Sequence, residues 1–188
     1  MYDVTRDREA CWNILKDYTK GEGLIKHALA VETCVREYAK KYNADEEYWG
    51  NVALLHDFDY EKYPTDKEHP FKGAEILKEK DFDDEFREAI LSHADYSGVA
   101  RETLLQKVLY ACDELAGFIT AVTYVRPSKT VDEVEVKSVK KKLKDKAFAR
   151  SVSREDIRNG AEDLGIPLED HIEFCIQAMR KNKDVLGL

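Results

Sequence analysis

The sequence of 188 residues contains no apolar run as long as the roughly 18 residues that a membrane-spanning helix requires. Its first ten residues, MYDVTRDREA, mix acids with bases and contain no apolar stretch of the kind that a secretory signal peptide carries. These two absences predict a protein that stays in the cytoplasm and has no membrane partner.

The sequence also has no closely spaced cysteine pair and no excess of positive over negative charge. The four cysteines lie far apart without a CxxC pair, so neither a disulfide framework nor a zinc ribbon is predicted. We interpret them as small buried apolar residues. The net charge of −8 predicts no nucleic-acid partner, because such binding relies on an excess of Lys and Arg at the phosphates. A small anionic substrate in a local basic pocket stays compatible with this charge.

Helical patterns dominate the chain, and no segment persuasively indicates a strand. Apolar residues from Leu24 to Tyr38 recur at intervals of three and four, which is typical of one face of an amphipathic helix. Asp45 is placed to cap the next helix. Residues 102–125 are strongly apolar and predict a buried central helix, which Pro127 ends. The predicted fold class is therefore all-α.

The histidines suggest a functional division of the chain. All except His171 lie between Gly21 and Pro127. We therefore predict a catalytic core over residues 1–127 and a C-terminal helical cap over residues 128–188, packed on the core as one unit.

Within the predicted cap, Thr130 and Ser153 are placed to begin two further helices with capping side chains. His171 follows Glu169 and Asp170 on a polar segment, which predicts a surface histidine.

Residue types that commonly bind metals occur in or at the ends of several predicted apolar helices. His56 and Asp57 end an apolar helix in the segment ALLHDFD, where both side chains can reach one ion beyond the helix end. A buried charged group at such a place needs a partner or a metal. Four more residues of this kind lie in or beside apolar helical segments: His27 in LIKHAL, His69 before Pro70, His93 after AILS, and Asp113 in VLYACDEL.

The order H…HD…H…H…D, with each member in a helical setting, resembles the HD-domain superfamily of metal-dependent phosphohydrolases, in the branch with two extra histidines. The resemblance covers about the first two thirds of the chain and implies an HD-domain helical bundle with a C-terminal appendage. It also implies two metal ions that share one carboxylate. The implied ligands are His27, His56, Asp57 and Asp113 for one ion, and Asp57, His69 and His93 for the other.

Imidazole and carboxylate ligands suit divalent Fe, Mn, Co, Ni or Zn, and the lack of cysteine ligands argues against a closed structural zinc site. The implied reaction is hydrolysis of a phosphate ester or anhydride in a small phosphorylated metabolite or nucleotide, through a metal-bridging hydroxide. Two alternatives stay open: a di-iron oxygenase of HD type, and a non-catalytic ligand-binding or sensor protein. Neither the substrate nor the oligomeric state can be deduced from the sequence.

The residues around Asp57 supply further catalytic candidates. Many members of the superfamily continue the doublet as HD-x-x-K, but Tyr60 stands at the position of that lysine here. Lys62, two residues later, is a candidate substitute that binds substrate. Asp59 and Glu61 are candidates for a proton shuttle beside the catalytic Asp57, or else face solvent.

Basic residues near the end of the predicted core are candidates for binding phosphate. Arg126 and Lys129 end and follow the helix that carries Asp113. Beyond them, residues 137–154 concentrate lysines and arginines, which either focus anions toward the metal site or form a solvated helix face.

Overall fold

The computed structural model describes residues 3–188, and these residues form α-helices and short 3-10 turns without a β-strand. The predicted all-α class is confirmed. The α-helices in this range are α1 (Arg8–Tyr18), α2 (Glu22–Lys41), α3 (Glu46–Leu55), α4 (Phe71–Glu79), α5 (Asp84–Ser92), α6 (Leu104–Tyr124), α7 (Val136–Leu143), α8 (Arg154–Asp163), α9 (Leu168–Lys181) and α10 (Lys183–Leu186). Among these helices, none has the combined length and apolar character needed to cross a membrane.

Capping side chains begin two helices where the sequence predicts them. The Asp45 carboxylate accepts a hydrogen bond of 3.0 Å from the backbone N–H of Tyr48 at the start of α3. The Ser153 hydroxyl accepts one of 3.1 Å from the N–H of Asp156 at the start of α8. Each cap satisfies a backbone donor that has no partner within its helix, which stabilises the helix by about 1 kcal/mol.

The segment after Thr130 differs from its prediction. Thr130 caps only the short 3-10 turn Val131–Glu133, and α7 begins after a break. The guanidinium group of Arg180 on α9 donates to the carbonyl oxygens of Val131 and Val134 over 3.3 and 2.7 Å. A continuing α-helix would use these carbonyl groups internally, so this tertiary contact takes the place of the predicted helix.

One hydrophobic core includes residues from both ends of the chain. Leu54 of α3 and Phe118 of α6 are buried in the same cluster as Ile157 of α8 and Ile172 of α9. Burial of a side chain of this size contributes about 1.5–3 kcal/mol, so the C-terminal helices are firmly attached to α6. The four cysteines are buried and free, as predicted.

Helix α8 packs closely against α6 because a glycine lies at the contact. A Cβ atom added at Gly160 would lie 2.5 Å from the Cα atom of Ala111, which is too short for any side chain. This close approach matters for the functional site, because α8 begins at the edge of the cavity described below.

His171 is buried, so its predicted place at the surface is wrong. It is 0% exposed on the inner face of α9, between α2 and α6. The carbonyl oxygen of Ala111 can only accept, so Nε2 of His171 carries the proton and donates over 2.8 Å. Nδ1 then accepts from the hydroxyl of Tyr38 over 2.7 Å. The acidic neighbours Glu169 and Asp170 misled the prediction, since adjacent residues on a helix point about 100° apart.

The Gly160→Ala variant tests the contact between α6 and α8. Its new methyl group meets the backbone of Ala111, so we expect the free energy of unfolding to fall by about 1–3 kcal/mol in urea denaturation. Gly23→Ala is the matched control, since nothing lies within 4 Å of its added Cβ. The control is expected to change stability by less than about 1 kcal/mol. Equal stability of the two variants would contradict the close packing of α8.

Burial also makes His171 a source of acid sensitivity. Burial lowers the pKa of His171 to about 4 from an ordinary value of 6.5, so the unfolded chain binds a proton between these values and the folded chain does not. The stabilisation is complete above pH 6.5 and is lost as the pH falls toward 4, with a total loss of up to about 3 kcal/mol. We expect His171→Gln to be less stable at pH 7 and to approach the wild type in urea denaturation near pH 4.5. A stability difference independent of pH would contradict this account.

Candidate metal centre

The six predicted metal ligands come from five separate segments that meet at one place. They share a position at a helix end or on an inner helix face: His27 on α2, His56 and Asp57 at the end of α3, His69 before α4, His93 at the end of α5, and Asp113 on α6. Their ligand atoms form two groups, and the atoms of each group lie within 4.8 Å of one another.

Asp57 belongs to both groups, and each of its carboxylate oxygens faces one of them. Oδ2 lies 3.7 Å from Nε2 of His27 and 3.4 Å from Nε2 of His56. Oδ1 lies 3.2 Å from Nε2 of His69 and 3.2 Å from Nε2 of His93. Asp57 therefore has the position of a carboxylate that bridges two ions.

Asp113 completes the first group. Its Oδ1 lies 3.0 Å from Nε2 of His27 and 3.4 Å from Nε2 of His56. Two ligand atoms that are each about 2.1 Å from one ion lie about 3.0–3.4 Å apart in octahedral or tetrahedral geometry. The distances in both groups fall close to this range, so the residues fit a divalent ion in each group.

Backbone carbonyl groups fix two of the histidine rings in the same way. Nδ1 of His56 donates to the oxygen of Ala53 over 2.7 Å, and Nδ1 of His93 donates to that of Ile90 over 2.5 Å. Both carbonyl groups lie three residues earlier, in the last turn of a helix, where carbonyl oxygens lack full partners. With the proton on Nδ1, the lone pair of Nε2 points into the cluster, as metal binding requires.

Asp59 fixes the third ring. Its Oδ1 accepts from Nδ1 of His69 over 2.8 Å, and its Oδ2 accepts from the N–H of Gly73 over 2.7 Å. A Cβ atom at Gly73 would lie 2.9 Å from this carboxylate, so glycine permits the contact. Asp59 is fully buried with both oxygens occupied. This places it behind His69 as an orienting group instead of at the cavity surface.

The electrostatics of the cluster favour positive charge among its ligands. Burial opposes a charge on His56, but the carboxylates of Asp57 and Asp113 outweigh burial and raise its pKa well above the ordinary value. Burial would raise the pKa of Asp57, yet the surrounding imidazoles hold it well below its usual range. Nε2 of His56 is buried without a hydrogen-bond partner. A buried polar atom without a partner is costly, and a metal ion bound to the lone pair of this nitrogen would satisfy it.

A family model of the HD domain matches residues 24–117, which is half of the chain. The chain belongs to the HD-domain family. The resemblance deduced from the order of the ligands is thereby confirmed, and the matched segment contains all six of them. The HD-domain family consists mostly of metal-dependent phosphohydrolases. No solved structure matches this HD-domain chain.

The metal centre opens onto a cavity of about 410 Å³. All the ligands except the fully buried His56 line it. The other polar or aromatic side chains of its wall are Tyr60, Asp95, Tyr96, Tyr110, Glu114, Ser151 and Asp156. Within the described part of the chain, no lysine or arginine lines this cavity. The described wall therefore offers a ligand no lysine or arginine, and its possible sources of positive charge are the histidine ligands and any ion that they bind.

Several predicted site residues lie elsewhere in the HD-domain structure. Glu61 accepts hydrogen bonds of 2.8 and 2.9 Å from the N–H groups of Lys20 and Gly21, and so holds the start of α2. Lys62 donates to the carbonyl oxygen of Asp17 over 3.0 Å. Neither Glu61 nor Lys62 lines the cavity of the metal centre.

Arg126 and Lys129 also lie away from the metal centre. Arg126 contacts the hydroxyl of Ser138 and lines a separate cavity with lysines of α7, and Lys129 is exposed in the loop after α6. The structure therefore does not bring the predicted phosphate-binding residues together with the metal ligands.

The wall residues Tyr110 and Glu114 on α6 are not among the predicted site residues, although their spacing from Asp113 in the sequence indicates them. Tyr110 precedes Asp113 by three residues and Glu114 by four, a spacing that places all three on one side of a helix. Burial and the neighbouring Asp113 raise the pKa of Glu114 to about 7. Ser151 and Asp156 carry no comparable signal, because they reach the cavity only through the packing of α8.

Single substitutions test the assignment of the metal ligands. Because Asp57 bridges both groups, Asp57→Ala is expected to lose both ions, whereas His69→Ala or His93→Ala loses only the second. Elemental analysis of anaerobically purified protein, reconstituted with Mn or Fe, measures the number of ions per chain. Lys62→Ala, outside the cavity, is the control and keeps the wild-type content. Unchanged metal content in Asp57→Ala would refute the bridging role.

Proposed function

We propose that this HD-domain protein is a hydrolase that uses two divalent ions to cleave the phosphate group from a small phosphorylated metabolite or nucleotide. The observation that carries the proposal is the arrangement at Asp57, whose two oxygens face separate ligand groups over 3.2–3.7 Å. Membership of a family that consists mostly of metal-dependent phosphohydrolases supports it.

We assign the first ion to His27, His56, Asp57 and Asp113, and the second to Asp57, His69 and His93. When bound, such a pair of ions lowers the pKa of water and neutralises charge on phosphoryl oxygens. The protein orients the ligands that hold them. Asp59 and the carbonyl groups of Ala53 and Ile90 keep the histidine rings in the required tautomer.

The remaining residues shape the space for the substrate. The ring of Tyr60 stands edge-on to that of His69, with centroids 5.3 Å apart, and fills the position at which related proteins carry a lysine. We propose that residues 1–127 supply the catalytic core and that residues 128–188 form a cap. Ser151 and Asp156 of the cap contribute to the cavity wall.

A di-iron oxygenase is the second candidate, and one observation favours it. A phosphate-binding site usually offers cationic side chains, whereas the described wall of this cavity has acidic and aromatic ones. The same histidine and aspartate ligands also suit iron. A non-catalytic sensor is disfavoured, because it has no chemical need for six converging ligands.

Metal analysis followed by two activity assays separates these functions. We expect the wild type to hold about two ions per chain, consistent with its two ligand groups, and to release inorganic phosphate from members of a panel of phosphate monoesters and nucleotides. Asp57→Ala is expected to reduce the rate by at least about 100-fold, since it removes the shared ligand. Lys62→Ala serves as the control and keeps wild-type activity.

The alternatives give different results in the same experiment. Two irons with a mixed-valence EPR signal, together with O₂ uptake and no phosphate release, would replace the hydrolase with the oxygenase. Failure to bind any metal on reconstitution would refute both enzymes.

A further inference from the structure

The cavity has a second wall beyond the metal ligands, built where α8 meets α6. Tyr110 and Glu114 of α6 form one side of this wall. Ser151, in the turn before α8, and Asp156, in the first turn of α8, form the other side. Ser151 and Asp156 lie outside residues 24–117, so this part of the site does not belong to the matched HD domain. A wall of this kind is where one HD-domain protein can differ from another in substrate choice.

Acidic side chains line this wall, and two of them, Glu114 and Asp156, have no basic partner among the described residues. Asp95, near the metal ligands, is paired with Arg101 over 2.7 Å. In the described part of the chain, neither Glu114 nor Asp156 forms a salt bridge, although Glu114 accepts a hydrogen bond of 3.0 Å from the N–H of Ser153. No lysine or arginine of the described residues lines the cavity. A phosphate or carboxylate group at this wall would be repelled, whereas a cation would be attracted.

Tyr110 provides an independent observation that a ligand group belongs here. Its side chain is only 3% exposed, it lines the cavity, and its hydroxyl is buried without a hydrogen-bond partner. One face of its ring is covered by the guanidinium group of Arg101, 3.6 Å from the centroid. Native proteins rarely leave a buried hydroxyl unsatisfied, and the groups available to this one are the carboxylate of Asp156 and a ligand in the cavity.

We infer that the wall formed by Tyr110, Glu114 and Asp156 binds a protonated amine, and that the substrate is a phosphate monoester that also carries an amino group. An ammonium group has three donors, which match the acceptor oxygens of Asp156, Glu114 and the Tyr110 hydroxyl. The inference rests on the proposed phosphohydrolase function only for the phosphate end of the substrate. The inference that the substrate carries an amine depends only on the residues of the wall.

Binding of unreactive phosphonates tests the inference without requiring turnover. The probes are 3-aminopropylphosphonate and butylphosphonate, which differ in having an ammonium or a methyl group at the same position. The two- and four-carbon homologues of the amine are included so that other chain lengths between the phosphonate and the ammonium group are also tested. Calorimetry on the Mn-reconstituted protein is expected to give at least about tenfold tighter binding for the best amine, the effect typical of a hydrogen bond to a charged group. Asp156→Asn is expected to remove most of that preference, and Tyr110→Phe part of it.

Glu155→Gln is the matched control, since Glu155 neighbours Asp156 on α8 but is exposed and outside the cavity. It is expected to keep the preference for the amine. Equal binding of the amine and alkyl probes at every length would overturn the inference, as would an unchanged preference in Asp156→Asn. Binding of 3-hydroxypropylphosphonate as tight as that of the amine would also overturn it, because the wall would then recognise a neutral donor.

The failure of the phosphohydrolase proposal gives a separate result. If no phosphonate binds to the metal-loaded protein, the phosphate end is wrong, and the amine end is measured with propylammonium chloride alone. We then expect propylammonium, but not propanol or sodium chloride at equal concentration, to raise the melting temperature of the wild type and not that of Asp156→Asn. Absence of that difference would refute the amine site.

Discussion

The carboxylate of Asp57 is the group on which the arrangement of the whole site depends. It is surrounded by four imidazoles and shares one ligand group with a second carboxylate, that of Asp113. Such a concentration of polar groups is unfavourable unless cations are shared among them. Helices α2, α3, α5 and α6 must therefore end or cross where their ligands reach this carboxylate, and that requirement fixes how they pack.

Backbone carbonyl groups at two helix ends orient the histidine ligands that this requirement involves. The last turns of α3 and α5 each have a carbonyl oxygen that lacks a full partner, and the histidine three residues later donates to it. The same hydrogen bond that completes the helix end selects the tautomer whose other nitrogen faces the cluster. Two of the ligands thus need no additional side chain to orient them, whereas His69, in a loop, depends on Asp59.

Helix α6 connects the metal centre to the rest of the cavity. It carries Asp113 on the same side as Tyr110 and Glu114, so a ligand and the second wall belong to one rigid element. The C-terminal helices hold α6 in place, through the contact at Gly160 and the hydrogen bond from His171 to the carbonyl of Ala111. The C-terminal helices are therefore part of the site's construction.

The features that can be predicted from the sequence are those that depend on the type and spacing of residues close together in the chain. The helices follow from apolar periodicity and capping residues, and the candidate ligands follow from the family resemblance of the H…HD…H…H…D order, whose members lie in or beside apolar helical segments. Asp156 and His171 could not be assigned in this way, because their positions depend on how α8 and α9 pack against α6. Lys62 and Arg126 were assigned by distance along the chain, which says little about where a side chain points once the loop has its own hydrogen bonds.

The distribution of charge also limits which phosphorylated compounds the proposed enzyme can accept. Divalent ions bound by the two ligand groups would make one end of the cavity positive, while the second wall has the acidic side chains of Glu114 and Asp156. A phosphate monoester with an amino group presents the opposite charges in the same order. A nucleoside triphosphate would instead extend further negative charge toward the carboxylates, with no lysine or arginine of the described wall to neutralise it. Electrostatic complementarity therefore favours small zwitterionic monoesters over polyphosphates, because each end of such a molecule meets charge of the opposite sign.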